Sequence, residues 1–372
     1  MKYSKSLGAV LMVAALGIMG TGAASAQNIV IGQSTALTGP GSALANAFHD
    51  GAQLYFDRFN AAGGVNGKKV ELVTLDDRGN PKNTAENTKK LLDQNVFALF
   101  GYYGSPQVTA AYPLIKDSDI LMFAPMAAAD EFRGANYPNV YSIRPGYAEE
   151  AAAIAKHAET LGMSRKLGIL HANDGESQAA LDSAVRTMTS LGANVVSNSG
   201  FQSGAVANAV DKVMAATPQS ILVIGDASSA ASAIRDLRAK NFRGPIYGFS
   251  NTGESLLAEE LGPEGAGVVV VRVVPKSDTA KVPAVRELME DAKEAKLGKT
   301  NVYMLEGYLA ARAFGEALKR TGNQPSRAKF KQSLGKMENV SLGGFRVNFG
   351  DERTGSKLVE LSLIDSQGKV RE

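Results

Sequence analysis

The chain has 372 residues, of which 44% are hydrophobic and none is cysteine, and its formal net charge is +3. This length predicts two domains, and the absence of cysteine excludes a disulfide framework, a lipid-anchored cysteine and thiol catalysis. A nearly neutral balance of charges argues against nucleic acid as a partner.

The first predicted element is a cleavable secretory signal. Lys2 and Lys5 form a short basic segment, an apolar stretch follows over 7–19, and small residues in an A-x-A pattern end at Ala26, before Gln27. The stretch is too short for a membrane span, and the A-x-A ending disfavours the alternative of a buried core helix. We expect cleavage after Ala26 and a soluble periplasmic protein. Its formal charge falls to +1, because two lysines and no acids are removed.

Strand and helix patterns alternate over the next part of the chain. Short β-branched or apolar runs bounded by turn residues predict strands at 29–34, 69–75, 96–100, 120–123 and 140–143. Apolar residues at helical spacing predict a helix over 43–60. It ends in the turn 62–67, where glycine supplies a positive φ.

The same alternation restarts after residue 146. Helices are predicted at 147–161, 178–191, 205–216 and 228–240, and strands at 166–170, 194–196, 220–224, 245–248 and 267–274. The tail differs, because it begins with helices that have no strand between them. These helices are predicted at 282–296, 302–321 and 326–334, before strand-like runs at 345–347 and 357–364.

This order of elements predicts an α/β fold. Alternating strands and helices form parallel sheets covered by helices on both faces, and two rounds of alternation indicate two such lobes. The tail helices do not continue a βαβ series, so we expect them to pack back on an existing lobe. The chain then crosses between the lobes more than once, and the crossing segments become a hinge.

Several motifs, taken in order, resemble the leucine/isoleucine/valine-binding type of periplasmic binding protein. They lie at 31–40, at 63–67, at Asp76-Asp77 with Pro81, at 100–105, at 120–125 and at Arg144-Pro145. Each motif is modest, but their order and spacing are specific and cover the whole chain after the signal. The resemblance implies a solute-binding component of an ABC importer.

The resemblance also implies a lobe organisation. It implies two Rossmann-like lobes with parallel-rich sheets, joined by three crossovers, with the ligand in the cleft between them. The first lobe is then 27–143 plus 274–350, and the second is 144–273 plus 351–372. In several relatives a disulfide joins two loops of the first lobe. The matching positions here are Gly79 and Gly104, which fits the absence of cysteine.

Ser105 is the leading candidate for a ligand contact. Serine is a strong N-cap and proline suits the first helical turn, so Ser105-Pro106 predicts the start of a helix that runs to about Asp117. Such a start is an ordinary cap, or else a site for an anion on free backbone N–H groups. Gly104 leaves room for a ligand to approach. The resemblance implies that this serine holds a ligand carboxylate.

Of four positions matched to family contacts, three depart from the family pattern. Ala127 can keep the backbone contact that relatives make, whereas Ala128 cannot supply their hydroxyl. Ser250 stands where relatives place a carboxylate for the ligand ammonium, and Glu176 stands where they place an aromatic lid. These departures argue against a standard branched-chain amino acid. They leave an amino acid in an altered pose, an amide or a small organic acid as candidates.

Other candidate contacts come from strand ends and aromatic residues. Asp226 follows a strand, where α/β proteins bind ligands; like Glu176, it is either a cleft acid or a solvated loop acid or helix cap. Tyrosine offers an apolar face with a polar tip, which makes candidate pocket walls of Tyr102, Tyr103 and Tyr147. Tyr147 could equally pack at the start of its helix. Leu44 stands where relatives often place an aromatic pocket floor, so we expect a roomier pocket there.

An enzyme is the main alternative class. The histidines His49, His157 and His171 form no metal or catalytic motif, and the chain lacks a dinucleotide-binding fingerprint, a P-loop and a nucleophile elbow. Asp76-Asp77 is a poor metal pair, because adjacent strand-end acids point in opposite directions. We therefore expect no catalysis, cofactor or metal. We expect a monomer whose partners are a small-molecule ligand and a membrane permease. A ligand-sensing module of a signalling receptor is the second alternative.

Overall fold

The computed structural model describes residues 27–371, apart from 162, 203 and 351. The predicted signal, at 1–26, lies outside the described residues. Within the part of the chain that is described, none of the helices combines the length and the apolar character that a membrane span needs.

The first half of the chain forms a parallel five-stranded sheet. Its strands are β1 (Ile29–Thr35), β2 (Val70–Asp76), β3 (Leu99–Phe100), β4 (Met122–Phe123) and β5 (Val140–Tyr141), in the order β2-β1-β3-β4-β5. Between them run α1 (Ser42–Ala61), α2 (Pro81–Asp93) and α3 (Ser105–Ala111). Strands β3 to β5 are shorter than predicted, and α3 ends at Ala111, where a 3-10 turn (Tyr112–Leu114) follows.

The next part repeats the alternation. Strands β6 (Lys166–Ala172), β7 (Asn194–Phe201), β8 (Ser220–Ile224), β9 (Ile246–Gly248) and β10 (Val268–Arg272) pair in parallel. They alternate with α4 (Tyr147–Thr160), α5 (Gly175–Ser190), α6 (Ala207–Ala215), α7 (Ala227–Ala239) and α8 (Glu254–Leu261). Strand β7 runs five residues past its predicted end, because polar residues can extend a strand at the edge of a sheet.

Elements of the C-terminal part of the chain, from residue 283 onward, pack on the first sheet or pair with the second. These elements are α9 (Pro283–Glu294), α10 (Val302–Lys319), α11 (Arg327–Gly335), the hairpin β11 (Val340–Leu342) and β12 (Phe345–Val347), and β13 (Glu360–Ile364) with β14 (Val370–Arg371). The three helices share a hydrophobic core with the first sheet. Strand β13 pairs antiparallel with β10, which gives the second sheet the order β14-β13-β10-β9-β8-β6-β7.

Helices α1 and α10 pack at the distance of backbone contact. A Cβ atom on Gly51 would lie 1.8 Å from the Met304 carbonyl oxygen, and one on Gly307 would lie 1.9 Å from the Phe48 carbonyl oxygen. Only glycine fits at either position. Beside this crossing, Phe314 of α10 lies in edge contact with Phe56 and Phe100, so a late helix completes the core that the first strands begin.

Candidate ligand-binding site

A cavity of about 350 Å³ lies between the two sheets. Loops that follow β1, β2 and β3 line one wall, and loops that follow β6, β8 and β9 line the other. These loops all leave the carboxyl ends of parallel strands, where open α/β sheets bind their ligands. The cavity therefore has the position expected of a ligand cleft.

Ser105 begins α3 but does not cap it. Gly104, at φ 97°, is the N-cap, and no side chain forms a cap bond there. The predicted serine cap is therefore wrong, because the positive φ that glycine allows moves the cap back by one residue. The Ser105 hydroxyl instead donates to Glu176 at 3.0 Å and accepts the backbone N–H of Ala129 at 3.3 Å.

The Glu176 carboxylate reaches across the cavity edge to the start of α3. Its Oε2 accepts the Ser105 backbone N–H at 2.5 Å, and its Oε1 accepts the Ser105 hydroxyl and, at 2.5 Å, the Tyr147 hydroxyl. Burial, and then the nearby charge of Glu176, raises the pKa of Tyr147, which keeps this hydroxyl a donor. We call Ser105, Tyr147 and Glu176 the cleft contact. In this structure a carboxylate of the protein itself occupies the anion site predicted at Ser105.

The start of α5 is held by its own local bonds. Asp174 is the N-cap, and it accepts the backbone N–H and the hydroxyl of Ser177, both at 2.8 Å. Gly175 then passes so close to α3 that a Cβ atom there would lie 2.8 Å from Cγ of Pro106. The capping aspartate and the glycine together place Glu176 opposite Ser105.

The lining of the cavity is acidic. Asp174, Glu176 and Asp226 all line it, and none of the described lining residues is lysine, arginine or histidine. Asp226 caps α7 by accepting the backbone N–H of Ser229 at 2.9 Å. Burial, followed by the charges of the same three acids, raises the pKa of Tyr103, whose ring lies over Gly41. The acids thus act together on a side chain of the opposite wall.

A second group of contacts, which we call the Arg144 cluster, joins four parts of the chain. Arg144 follows β5, Glu150 lies in α4, Ser250 follows β9, and Glu306 lies in α10. Arg144 lies 3.1 Å from Glu150 and 3.4 Å from Glu306, and it also donates to the Ser250 hydroxyl. Ser250 in turn donates its N–H and its hydroxyl to Glu150, both at 2.8 Å. Burial raises the pKa of both glutamates, and Arg144 opposes that shift.

The structure brings together part of the set predicted from sequence. Tyr103, Gly104, Glu176 and Asp226 line the cavity, and Ser105 and Tyr147 hold Glu176. The remaining positions are buried away from the lining: Tyr102, Leu44, Ala127, Ala128 and Ser250.

Each residue outside the lining has another set of contacts. The Tyr102 hydroxyl lies 3.0 Å from the Thr88 hydroxyl, Leu44 is part of the first sheet's core, and Ser250 belongs to the Arg144 cluster. The carbonyl of Ala128 accepts the Tyr147 N–H at 2.9 Å. Contact of any of these positions with a ligand stays a prediction.

Sequence reasoning missed four polar residues of the lining, namely Gln107, Asp174, Ser177 and Asn251. Asp174 and Asn251 come shortly after β6 and β9. The rule that singled out Asp226 at a strand end could have found both of them.

The histidines lie apart from one another. His49 Nδ1 is 2.7 Å from the Gln33 side-chain oxygen, and His157 Nδ1 is 3.0 Å from the Tyr247 hydroxyl. His171 lies 3.3 Å from a backbone carbonyl oxygen. Over the described residues, histidine, aspartate and glutamate form no cluster of three or more that could hold a metal ion.

Comparison with known proteins identifies relatives along most of the chain. A family model described as "Periplasmic binding protein" matches residues 28–360. An amino acid binding protein of Pseudomonas aeruginosa is 21% identical over 86% of both chains. The Leu/Ile/Val-binding protein of Escherichia coli K12 is 20% identical over 87% of this chain and 88% of its own.

Solved structures give the same fold. An extracellular ligand-binding receptor from Verminephrobacter eiseniae superposes with a TM-score of 0.85 at 27% identity, covering 93% of this chain and all of its own. LivJ from Streptococcus pneumoniae, solved with isoleucine, superposes with a TM-score of 0.81 at 18% identity over 93% of this chain and 98% of its own. The two-lobed α/β fold inferred from sequence is confirmed, and these relatives are binding proteins, not enzymes.

Proposed function

The chain belongs to the periplasmic binding protein family, and from that premise we propose that it is the solute-binding component of an ABC importer. It binds one small polar molecule, drawn from the amino acids, amides and small organic acids, and presents it to a membrane permease. The family indicates a periplasmic location. We propose that a signal peptide directs export and is cleaved after Ala26, and that the mature protein is a monomer.

The cavity between the two sheets is the observation that carries this proposal. Its walls come from loops of both sheets, and at its edge the cleft contact joins Ser105 of one wall's helix to Glu176 of the other wall. A ligand placed there touches both sheets at once and so stabilises a closed arrangement over an open one. We propose that 27–143 with 274–350 and 144–273 with 351–372 move as two lobes about the three segments that join them.

Solution scattering tests closure directly. A saturating ligand is first found by thermal shift among amino acids, amides and organic acids, because a bound ligand stabilises by about 2.7 kcal/mol at a hundredfold excess over its Kd. The radius of gyration should then fall when that ligand is added. An unchanged radius at saturation would contradict closure and the importer role.

Export has its own test. Mature protein purified from the periplasm should begin at Gln27 or within one or two residues of it, as determined by N-terminal sequencing. Protein that keeps Met1 and stays in the cytoplasm would contradict the proposed location.

A further inference from the structure

We propose that the solute of this cavity is a cationic amine whose carboxyl group is either absent or masked as an amide. The inference rests on the proposed function, because it concerns the ligand of that same cleft. It selects among the solutes named above by the charges and the free hydrogen-bonding atoms of the lining.

The donors that would hold a ligand carboxylate are already used. The Ser105 backbone N–H, the Ser105 hydroxyl and the Tyr147 hydroxyl all donate to Glu176. A free carboxylate must displace Glu176 from all three donors before it can take that place. The displaced carboxylate would then lie in the same cavity as the incoming one.

The charge of the lining also opposes an anion. Asp174, Glu176 and Asp226 line the cavity, and the described part of the lining contains no basic side chain. Arg144 lies nearby, but Glu150 and Glu306 compensate its charge within a buried cluster. A ligand carboxylate would add a further negative charge here, whereas an ammonium, amidinium or guanidinium group would offset those already present.

Two acceptors in the lining lack a donor. The buried side-chain oxygen of Asn251 accepts no hydrogen bond. Asp226 uses Oδ1 to cap its helix, and its Oδ2 takes part in no hydrogen bond with the described residues. A cationic amine has only donors on its charged group, so it suits such acceptors, whereas a carboxylate brings only further acceptors.

Tyr103 completes the wall opposite these acceptors. It is half-buried and its ring lies over Gly41; burial and then the three acids raise its pKa, so its hydroxyl stays neutral. An aromatic face beside a group of carboxylates suits a cation, because the ring attracts positive charge. The apolar part of an amine can pack on the same ring.

Matched ligands that differ only in the carboxyl group test the inference. Titration calorimetry at neutral pH would compare leucine with leucinamide and 3-methylbutylamine, arginine with agmatine, and 4-methylpentanoate as an acid without an amine. Protein for this test is unfolded and refolded to remove bound solute. At least one carboxyl-free or masked amine should bind about tenfold or more tightly than its amino acid, and 4-methylpentanoate should not bind.

Variants of Glu176 connect the preference to the cleft contact. Glu176→Ala frees the Ser105 donors and removes one charge, so the preference for the amine should fall about tenfold or more. Glu176→Gln removes the charge but keeps one acceptor oxygen and the bulk of the side chain beside the Ser105 donors, so it should weaken the amine and strengthen the amino acid less than Glu176→Ala does. Glu159→Gln, an exposed change on α4, should leave the preference unaltered. Melting curves establish that each variant is folded.

The outcomes separate the inference from the proposed function. If amino acids bind the unaltered protein as tightly as their amines, or if Glu176→Ala leaves the preference unchanged, the inference is wrong and the solute-binding function stands. If no member of either class binds and no compound of the wider thermal-shift screen changes the radius of gyration, both are overturned.

Discussion

Two groups of contacts join elements of the first sheet to elements of the second, and they differ in burial and in charge. In the Arg144 cluster the arginine, Glu150 and Glu306 side chains are 3%, 0% and 2% exposed. In the cleft contact Glu176 is half-buried, and the neighbouring acid Asp174 is exposed. The cluster is a sealed ionic core where the chain passes between sheets, whereas the cleft contact lies beside an accessible cavity.

This difference separates what is fixed from what can be exchanged. Removing one partner of a buried ion cluster leaves an uncompensated charge in a dry environment, which is strongly destabilising. Breaking the cleft contact lets water or a ligand replace the lost bonds, which costs far less. We therefore expect the cluster to persist in every state of the protein and the cleft contact to open and close.

Arg144→Met should have the largest effect. It leaves Glu150 and Glu306 buried without their cation, and we expect a loss of about 3–5 kcal/mol in the free energy of unfolding. Urea denaturation measures this loss. The control is Arg186→Met, because Arg186 is 67% exposed and lies 3.5 Å from Asp130; such a surface pair contributes about 0–1 kcal/mol. Equal losses in the two variants would show that the buried cluster costs no more to break than a surface ion pair.

Glu176→Ala should shift closure more than stability. It removes a charged acceptor of three hydrogen bonds, and we expect the closed arrangement to lose about 1.5–3 kcal/mol relative to the open one. The radius of gyration without ligand should rise, while the urea midpoint changes little. A variant that unfolds as readily as Arg144→Met would show that the cleft contact is structural after all.

Glu306→Gln should change how stability depends on pH. Burial raises the pKa of Glu306 above its usual 4.5, so the folded state holds this proton at a pH where the unfolded state has released it. The contribution of this group is therefore fully present below the unfolded pKa and is lost as pH rises through the folded one. Glutamine does not ionise, so the Glu306→Gln variant does not lose this stability as pH rises.

The measurement is the difference in unfolding free energy between Glu306→Gln and the unaltered protein. It should be flat below pH 4.5 and grow as pH rises above that value, with a slope of at most about 1.4 kcal/mol per pH unit. The control is Thr189→Ser, an exposed change on α5 that neither adds nor removes an ionisable group, so its difference should not vary with pH. A Glu306→Gln difference that is equally flat would contradict a raised pKa.

Ser105→Ala should have the smallest effect on closure. The Ser105 backbone N–H and the Tyr147 hydroxyl still hold Glu176, so only one bond of the cleft contact is lost, which contributes about 0.5–1.5 kcal/mol. Scattering without ligand measures this change, because the radius of gyration should rise less than it does in Glu176→Ala. A closure shift as large as that of Glu176→Ala would mean that the hydroxyl alone holds the contact.

The sequence predicted regular elements better where apolar residues mark one face. Helix α2 was not predicted because its buried residues are mostly polar, namely Thr84, Asn87, Thr88 and Leu91. The predicted range of β7 ends too early for the same reason, since the last residues of the strand include the polar Asn198 and Ser199. Periodic hydrophobicity carries the signal for an element, and it fails where polar groups form the interface.

The site was predictable residue by residue but not as an arrangement. Ser105, Glu176 and Asp226 were all singled out from sequence, because strand ends and family positions are local features. That Glu176 bonds to Ser105 depends on how the two sheets face each other across 71 positions of sequence. No local pattern encodes that distance, so the acid was expected near the cleft without a partner.

The close crossing of α1 and α10 delays folding of the first sheet's core until late in synthesis. Asn66, just after α1, hydrogen bonds with Gly322, just after α10, although they are 256 positions apart. The glycine crossing and the aromatic core around Phe314 therefore cannot form until the ribosome has added nearly the whole chain. Contacts between such distant parts of a chain also form slowly. A nascent chain of this design stays unfolded for longer than one whose core closes locally, which suits the export proposed above.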